Sequence, residues 1–372
     1  MTRDDGELRV LLLALDGFPH RMVGPELTPT LWQLALGGGR APDGGRAPLP
    51  STTYPGFASL LTGASTEIHR VRTTFGREGA APGWASDRQV AVPTILDACR
   101  AAGMGAVAVM GDQKLVGVLR TGDVALPWPV GALLPDSAAL DAFGYLRNDA
   151  AWPAMIEAIR DPGNRLLFCH LNEADTVGHL HGPESGEARD CYRSTDRVVQ
   201  RLLDTIRTTW SRWLVIVVSD HDMEERSAAE GVDPMSLPGI DAIAEDWMED
   251  GGSCWLKLRP GVDAADVDRV LSTRPEATGW RLYRDRVLLM GHPGAAWHAG
   301  AVPLLGIHGG PATRRTVAIV GGGHTSVGPL ARRVNGSAPE LRDWSPTIAA
   351  LLGIQLPSAD GLDLLSEPSD PG

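Results

Sequence analysis

Short apolar runs that alternate with helix-period segments constrain this chain more than any other feature. Residues 8–15, 106–110, 165–171, 213–218 and 316–320 each read as buried strands, apolar on both sides and far too short to span a membrane. Between them lie helical patterns. Thr28-Pro29 opens one that runs through Leu36, and residues 93–102 read as another. The clearest covers 185–210, with Ala188, Cys191, Thr195, Val198, Val199, Leu202 and Ile206 on one face. Strands that are apolar on both sides need cover on both sides, which predicts an α/β fold with a mostly parallel sheet sandwiched by helices. The glycine-rich stretch 37–50 follows a helix rather than a strand, so it reads as loop and not as a dinucleotide-binding turn.

Composition narrows the function. The chain has 372 residues, with 34 basic against 46 acidic side chains and a net charge of −12. An acidic surface of this kind excludes wrapping a nucleic-acid polymer, which needs a basic excess. Small phosphorylated substrates remain open, because cations can meet their charge locally. The lysines are Lys114 and Lys257 alone; every other basic residue counted is arginine. Cys99, Cys169, Cys191 and Cys254 show no CxxC spacing and read as buried thiols. Acidic residues precede the short apolar run 10–15, unlike a signal peptide, and no stretch reaches membrane-span length. The expectation is a cytoplasmic protein with no membrane partner. Segment 224–305 breaks the pattern. It is acidic, carries Trp247, Trp255, Trp280 and Trp297, and has short strands around 254–258 and 280–290. It is expected to form a cap on a core made of 1–223 and 306–372, with its tryptophans offering substrate an apolar shelf.

Acidic and histidine residues recur where α/β sheets place active sites, just past the carboxyl ends of strands. They are Asp16, Asp175 with His179, Asp220 with His221, and His308. Asp175 and His179 stand four apart and can share one side of a helical turn. Three carboxylates with three imidazoles and no thiolate suit divalent cations, zinc first, with manganese or iron as alternatives. The segment Pro50-Ser51-Thr52-Thr53-Tyr54-Pro55-Gly56-Phe57 adds hydroxyls, which are poor nucleophiles unless a base or metal activates them. The remaining histidines, His20, His69, His170, His181, His292 and His298, read as structural or exposed. His324 follows a glycine run that could carry it to the site.

Through LLLALDG, TPTLWQLALGGG, PSTTYPGFASLLTG, NEADTVGH, VVSDH, GIHGG and SPTIAALLGIQLPSADG the chain resembles the alkaline phosphatase superfamily, in particular its type I phosphodiesterase/nucleotide pyrophosphatase branch. The resemblance implies that Thr53, not Thr52, is the nucleophile. It implies two divalent cations, one held by Asp175, His179 and His308, the other by Asp16, Asp220, His221 and the Thr53 oxygen. The implied reaction is hydrolysis of a phosphodiester or nucleotide pyrophosphate bond through a phospho-threonine. Phosphomonoester hydrolysis, C–P cleavage as in phosphonoacetate hydrolases, and a catalytically lapsed metal- or ligand-binding protein are the alternatives. Three departures bear on these. Asp222 stands where the family usually has glycine. Arg70-Val71-Arg72-Thr73-Thr74 replaces a glycine-rich stretch ending in a phosphate-binding Asn, which passes that task to Thr74 or Arg72. The segment 107–119 resembles phosphonoacetate hydrolases but keeps only Lys114 of their two lysines. Tyr54, Thr74 and Lys114 are thus the expected substrate-binding residues, with Tyr54 either stacking a base or packing under the cap.

Overall fold

The strand Arg9–Leu15 is buried along its whole length in the computed structural model, which describes residues 7–74, 89–121, 126–134 and 136–366. The outermost residues of the expected 1–223 and 306–372 portions therefore lie outside the described residues. Burial of Arg9–Leu15 follows from its place at the centre of a seven-stranded sheet. Parallel strands flank it, Asn164–Leu171 on one side and Trp213–Val218 on the other. Beyond Asn164–Leu171 come Gly105–Val109 and Leu126–Trp128, both parallel. Beyond Trp213–Val218 comes Ala318–Gly322, antiparallel, and then the two-residue strand Gly39–Arg40.

The pleat explains why the strands read as continuous apolar runs. Val10, Leu12 and Ala14 face one layer, where they meet Phe57, Leu60 and Ile348 from the helices Thr53–Thr62 and Trp344–Leu352. Leu11, Leu13 and Leu15 face the other, against Val199, Leu202 and Met155 from Gly186–Thr209 and Trp152–Arg160.

Several boundaries move for local reasons. The second helix is Ile95–Ala101, not 93–102, because Thr94 caps it: the Thr94 hydroxyl accepts from the Asp97 amide while the Asp97 carboxylate accepts from the Thr94 amide. Thr28 precedes the helix Pro29–Gly37, but its hydroxyl turns back to the Met22 carbonyl. The free amides of Thr30 and Leu31 donate instead to Asp196, from the long helix packed alongside. The expected strand 316–320 is Ala318–Gly322, since Arg315–Thr316 pairs separately with Gly45–Arg46. That pairing puts short strands inside the glycine-rich stretch that read as loop.

Within 224–305, four strands form an antiparallel sheet in the order Ala277–Tyr283, Arg286–Gly291, Ser253–Leu258, Ala244–Asp250. Trp247, Leu256 and Leu289 pack on one face with Val267 of the helix Ala264–Leu271 and with Trp297. Met248, Trp255 and Leu288 occupy the other face, which Leu49 of the larger layer covers. The tryptophan shelf is therefore corrected. Trp247, Trp255 and Trp297 are buried between layers and Trp280 is half-buried, because a small sheet covered on both faces needs large side chains to fill it. Among the described residues no helix is long and apolar enough to cross a membrane.

Candidate metal centre

Chain reversals at the carboxyl ends of the parallel strands bring the candidate residues together. Asp16 follows Arg9–Leu15, and Asp220-His221 follow Trp213–Val218. Asp175 and His179 lie on the helix Glu173–His181, which starts two residues after Asn164–Leu171 ends. His308 follows Gly306–Ile307, and Thr53 is the first residue of Thr53–Thr62. Gly17 has φ +60°, and a Cβ there would stand 2.9 Å from the Asp175 backbone, so glycine alone lets the chain turn this tightly. The turn sends the Gly17 amide to Asp220 Oδ1 at 3.1 Å.

Two groups of ligand atoms result. Asp175 Oδ1 lies 3.4 Å from His179 Nε2 and 3.6 Å from His308 Nε2, with the two imidazole nitrogens 3.1 Å apart. His221 Nε2 lies 3.5 Å from Asp16 Oδ1, 3.3 Å from Asp220 Oδ2 and 3.3 Å from Thr53 Oγ1. Asp175 Oδ1 is also 4.0 Å from His221 Nε2, so this carboxylate stands between the groups, and the compact triads are Asp175/His179/His308 and Asp16/Asp175/His221. Asp220 borders the second triad through Oδ2.

The donor set fits divalent cations on two grounds. Each imidazole turns Nδ1 to a backbone carbonyl: His179 to Gly306 at 2.9 Å, His221 to Asp222 at 2.9 Å and His308 to Ser51 at 3.2 Å. A carbonyl can only accept, so the proton sits on Nδ1 and the Nε2 lone pair faces the centre. In addition, Asp16 Oδ1, Asp175 Oδ1 and Asp220 Oδ2 are buried there without a hydrogen-bond partner among the described residues. Burial, then the charges of Asp220 and Asp175, hold the Asp16 carboxyl well above the usual carboxylate range. Burial likewise raises Asp175 and pushes Asp220 up to about 7. It lowers His221 and His308. Carboxylates gathered so closely out of water call for positive charge.

The expected substrate-binding residues fare differently. Tyr54 is buried and its side chain hydrogen-bonds Asp112, so its ring is packed rather than presented for stacking. The Thr74 hydroxyl accepts from the Tyr54 amide at 3.0 Å, next to Thr53, and the Thr74 amide donates to Asp250. Lys114 is exposed, with Nζ 5.0 Å from the centre of the Tyr145 ring. The Asp222 charge is met away from the cluster: Oδ1 accepts from Arg21 at 2.6 Å and Oδ2 lies 3.4 Å from His20. His324 sits against Arg212 and Trp213, where that strand begins, at the opposite end of the sheet from the cluster. Sequence reasoning gave no role at the site to His170, Asp112 or Asp250. For His170 a signal existed, an imidazole in an alternate-residue row that is otherwise apolar at Leu166 and Phe168.

Comparison with known proteins places the chain as a whole. The family model described as type I phosphodiesterase / nucleotide pyrophosphatase matches residues 10–286. The human ectonucleotide pyrophosphatase/phosphodiesterase family member 7 is 32% identical over 83 residues, 21% of this chain and 18% of the human protein. The matched segment thus spans under a fifth of that relative. The rat counterpart is 30% identical over 83 residues, 21% of this chain and 19% of the rat protein. Among solved structures, murine ectonucleotide pyrophosphatase/phosphodiesterase 5 superposes with a TM-score of 0.69 at 17% identity, covering 95% of this chain and 97% of that one. Its inactive threonine-to-alanine variant in complex with AMP gives a TM-score of 0.68 at 18% identity, covering 95% and 97%. These likenesses establish the alkaline-phosphatase-like fold, and the family-model match establishes kinship. The chain belongs to the type I phosphodiesterase/nucleotide pyrophosphatase family of the alkaline phosphatase superfamily.

Proposed function

We propose that the protein hydrolyses a phosphodiester or nucleotide pyrophosphate bond with Thr53 as nucleophile. One observation carries this reading. The Thr53 hydroxyl opens a helix and lies 3.3 Å from His221 Nε2, beside buried carboxylates that each keep one oxygen without a hydrogen-bond partner among the described residues. Two divalent cations, zinc first with manganese or iron as alternatives, would supply the positive charge that lowers the hydroxyl pKa and offsets phosphoryl charge. Asp175, His179 and His308 would hold one, and Asp16, Asp220, His221 and the Thr53 oxygen the other, with Asp175 close enough to serve both.

The protein's own groups then divide the work. Thr53 Oγ gives up its proton to solvent and attacks phosphorus, the Oγ–P bond forms, and the bond to the leaving oxygen breaks with its electron pair departing on that oxygen. Water cleaves the phospho-threonine in a second displacement and restores the hydroxyl. Thr53 stands at the N-terminus of Thr53–Thr62, the helix end that favours negative charge. Thr74 accepts from the Tyr54 amide, which leaves its own hydroxyl proton for a phosphoryl oxygen, the task the family gives to Asn. AMP in complex with the murine relative supports a nucleotide substrate.

The test is a panel of p-nitrophenyl mono- and diesters, NAD, a UDP-sugar and phosphonoacetate, each with zinc or manganese. The diester and a nucleotide should turn over fastest, and Thr53→Ala should lose roughly a thousandfold or more in kcat. Retained turnover in Thr53→Ala with loss in Thr52→Ala would refute the assignment of the nucleophile.

A further inference from the structure

His170 belongs to neither ligand triad, yet its imidazole is wholly buried beside the centre. On the strand Asn164–Leu171 the pleat sends Leu166 and Phe168 into the layer under the Thr53–Thr62 helix, and the same period carries His170 into that row. There its ring meets Phe57 edge-on, centroids 4.7 Å apart. The residue paired with His170 across the ladder is Ala14, whose methyl leaves room for the ring to pass. Two positions beyond Ala14 on the same row stands Asp16, and His170 Nε2 reaches Asp16 Oδ2 at 2.9 Å. The other ring nitrogen faces the Asp112 amide, with Asp112 N 3.3 Å from Nδ1. An amide N–H can only donate. Nδ1 is therefore the acceptor, and the imidazole proton sits on Nε2, directed at Asp16. One oxygen of Asp16 is thus tied back, while the other, Oδ1, has no hydrogen-bond partner among the described residues and lies 3.5 Å from His221 Nε2.

We propose that His170 is the positioning residue of the second metal site: its Nε2–H holds Asp16 Oδ2 so that Oδ1 faces the site shared with His221. The Asp112 amide sets the tautomer that makes this possible. Apolar packing of the row needs no imidazole, since Leu166 and Phe168 complete it without one. A carboxylate freed from this bond can rotate about its last torsion, and a ligand no longer aimed binds metal less tightly. Partners of this kind are worth about 10–100-fold in metal affinity.

This inference rests on the two-metal reading above, and the experiment separates the two. Zinc is titrated into the metal-free full chain against a chromophoric chelator, for wild type and for His170→Phe, His170→Asn and His170→Gln. Thermal unfolding of each metal-free protein is recorded in parallel. Wild type should bind two equivalents. His170→Phe and His170→Asn, which offer Asp16 no donor within reach, should keep one equivalent at wild-type affinity and bind the other about 10–100-fold more weakly. His170→Gln, whose amide nitrogen extends to where Nε2 stands, should recover most of that loss at a similar melting temperature. Equal binding by all four proteins overturns the proposal, as does a Gln variant that loses as much as the Asn variant. If His170→Phe does not fold, the Gln and Asn pair alone separates these outcomes. Two equivalents in wild type with no difference among variants sinks the role of His170 alone, whereas no zinc bound by wild type sinks the two-metal reading itself.

Discussion

His69 and the candidate ligand histidines are all buried, and what separates them is the partner on each ring nitrogen. His179, His221 and His308 place Nδ1 on carbonyls and leave Nε2 facing carboxylates. At His69 both nitrogens are occupied within the fold: Ser59 Oγ lies 3.0 Å from Nε2, and the Val71 amide donates to Nδ1 at 3.0 Å. Burial, helped by the Arg72 charge, pushes His69 down to about 3. A depressed folded-state value means that the stability held by neutral His69 is complete above the unfolded value of 6.5 and is lost as pH falls toward 3. The slope is at most about 1.4 kcal/mol per pH unit. Urea unfolding at pH 7 and pH 5 should therefore show a steeper loss in wild type than in His69→Gln. Parallel losses would mean that His69 is already charged in the folded protein. The Asp222 carboxylate makes a similar point. Beside a metal its charge reads as a liability, but Arg21 and His20 take it up on the far side.

Among the elements, the hairpin Ala244–Asp250 and Ser253–Leu258 does more than cover the core. Its tip grips the loop that bears His308. The Gly252 amide donates to the His308 carbonyl at 2.7 Å, and Ser253 Oγ donates to the Gly309 carbonyl at 2.7 Å. Gly309 has φ +100°, and a Cβ there would stand 1.9 Å from the Asp250 carbonyl oxygen. Gly309→Ala should thus force the hairpin off the loop and cost about 3 kcal/mol or more, with weakened metal binding at His308. Gly103 supplies the control. Its φ is +71°, but no described residue lies within 4 Å of a Cβ there, so Gly103→Ala should cost only the backbone strain of about 1–2 kcal/mol. Chemical unfolding of the two variants measures the difference, and equal losses would show that the hairpin yields freely.

Over the whole molecule, the candidate metal centre joins segments from both ends of the chain. Asp16 and Thr53 come from its first part, Asp175 and Asp220 from its middle, and His308 from beyond the four-stranded sheet. Cations that bind this assembled site bind the folded state alone, and so add to its stability by mass action. At a free concentration 1,000 times Kd the gain is about 4 kcal/mol per site. Elemental analysis after zinc loading should return two equivalents, and chelation should lower the melting temperature by roughly 10 °C. An unchanged melting temperature after verified metal removal would mean that the carboxylate cluster is settled without cations.

Much of this was legible in one dimension. The length and apolarity of residues 8–15, 165–171 and 213–218 specify strands buried on both faces, because each such run has only one environment that satisfies both its sides. Asp16, Asp175 and Asp220 then fall at the ends of those strands by chain order alone, and the spacing of Asp175 and His179 states that they share a helical turn. Other features depended on which side chains meet from distant parts of the chain. Asp175 stands between the triads because Gly17 lets the first turn close against it. Tyr54 is packed because Asp112 receives it, and Trp255 is core because Leu49 covers the far face of its sheet. His170 looked structural until its strand was seated beside Arg9–Leu15, 154 positions away from the carboxylate it orients. Periodicity reports which side of an element is apolar; only the closed fold decides which polar atom, across a strand ladder or a loop, stands opposite.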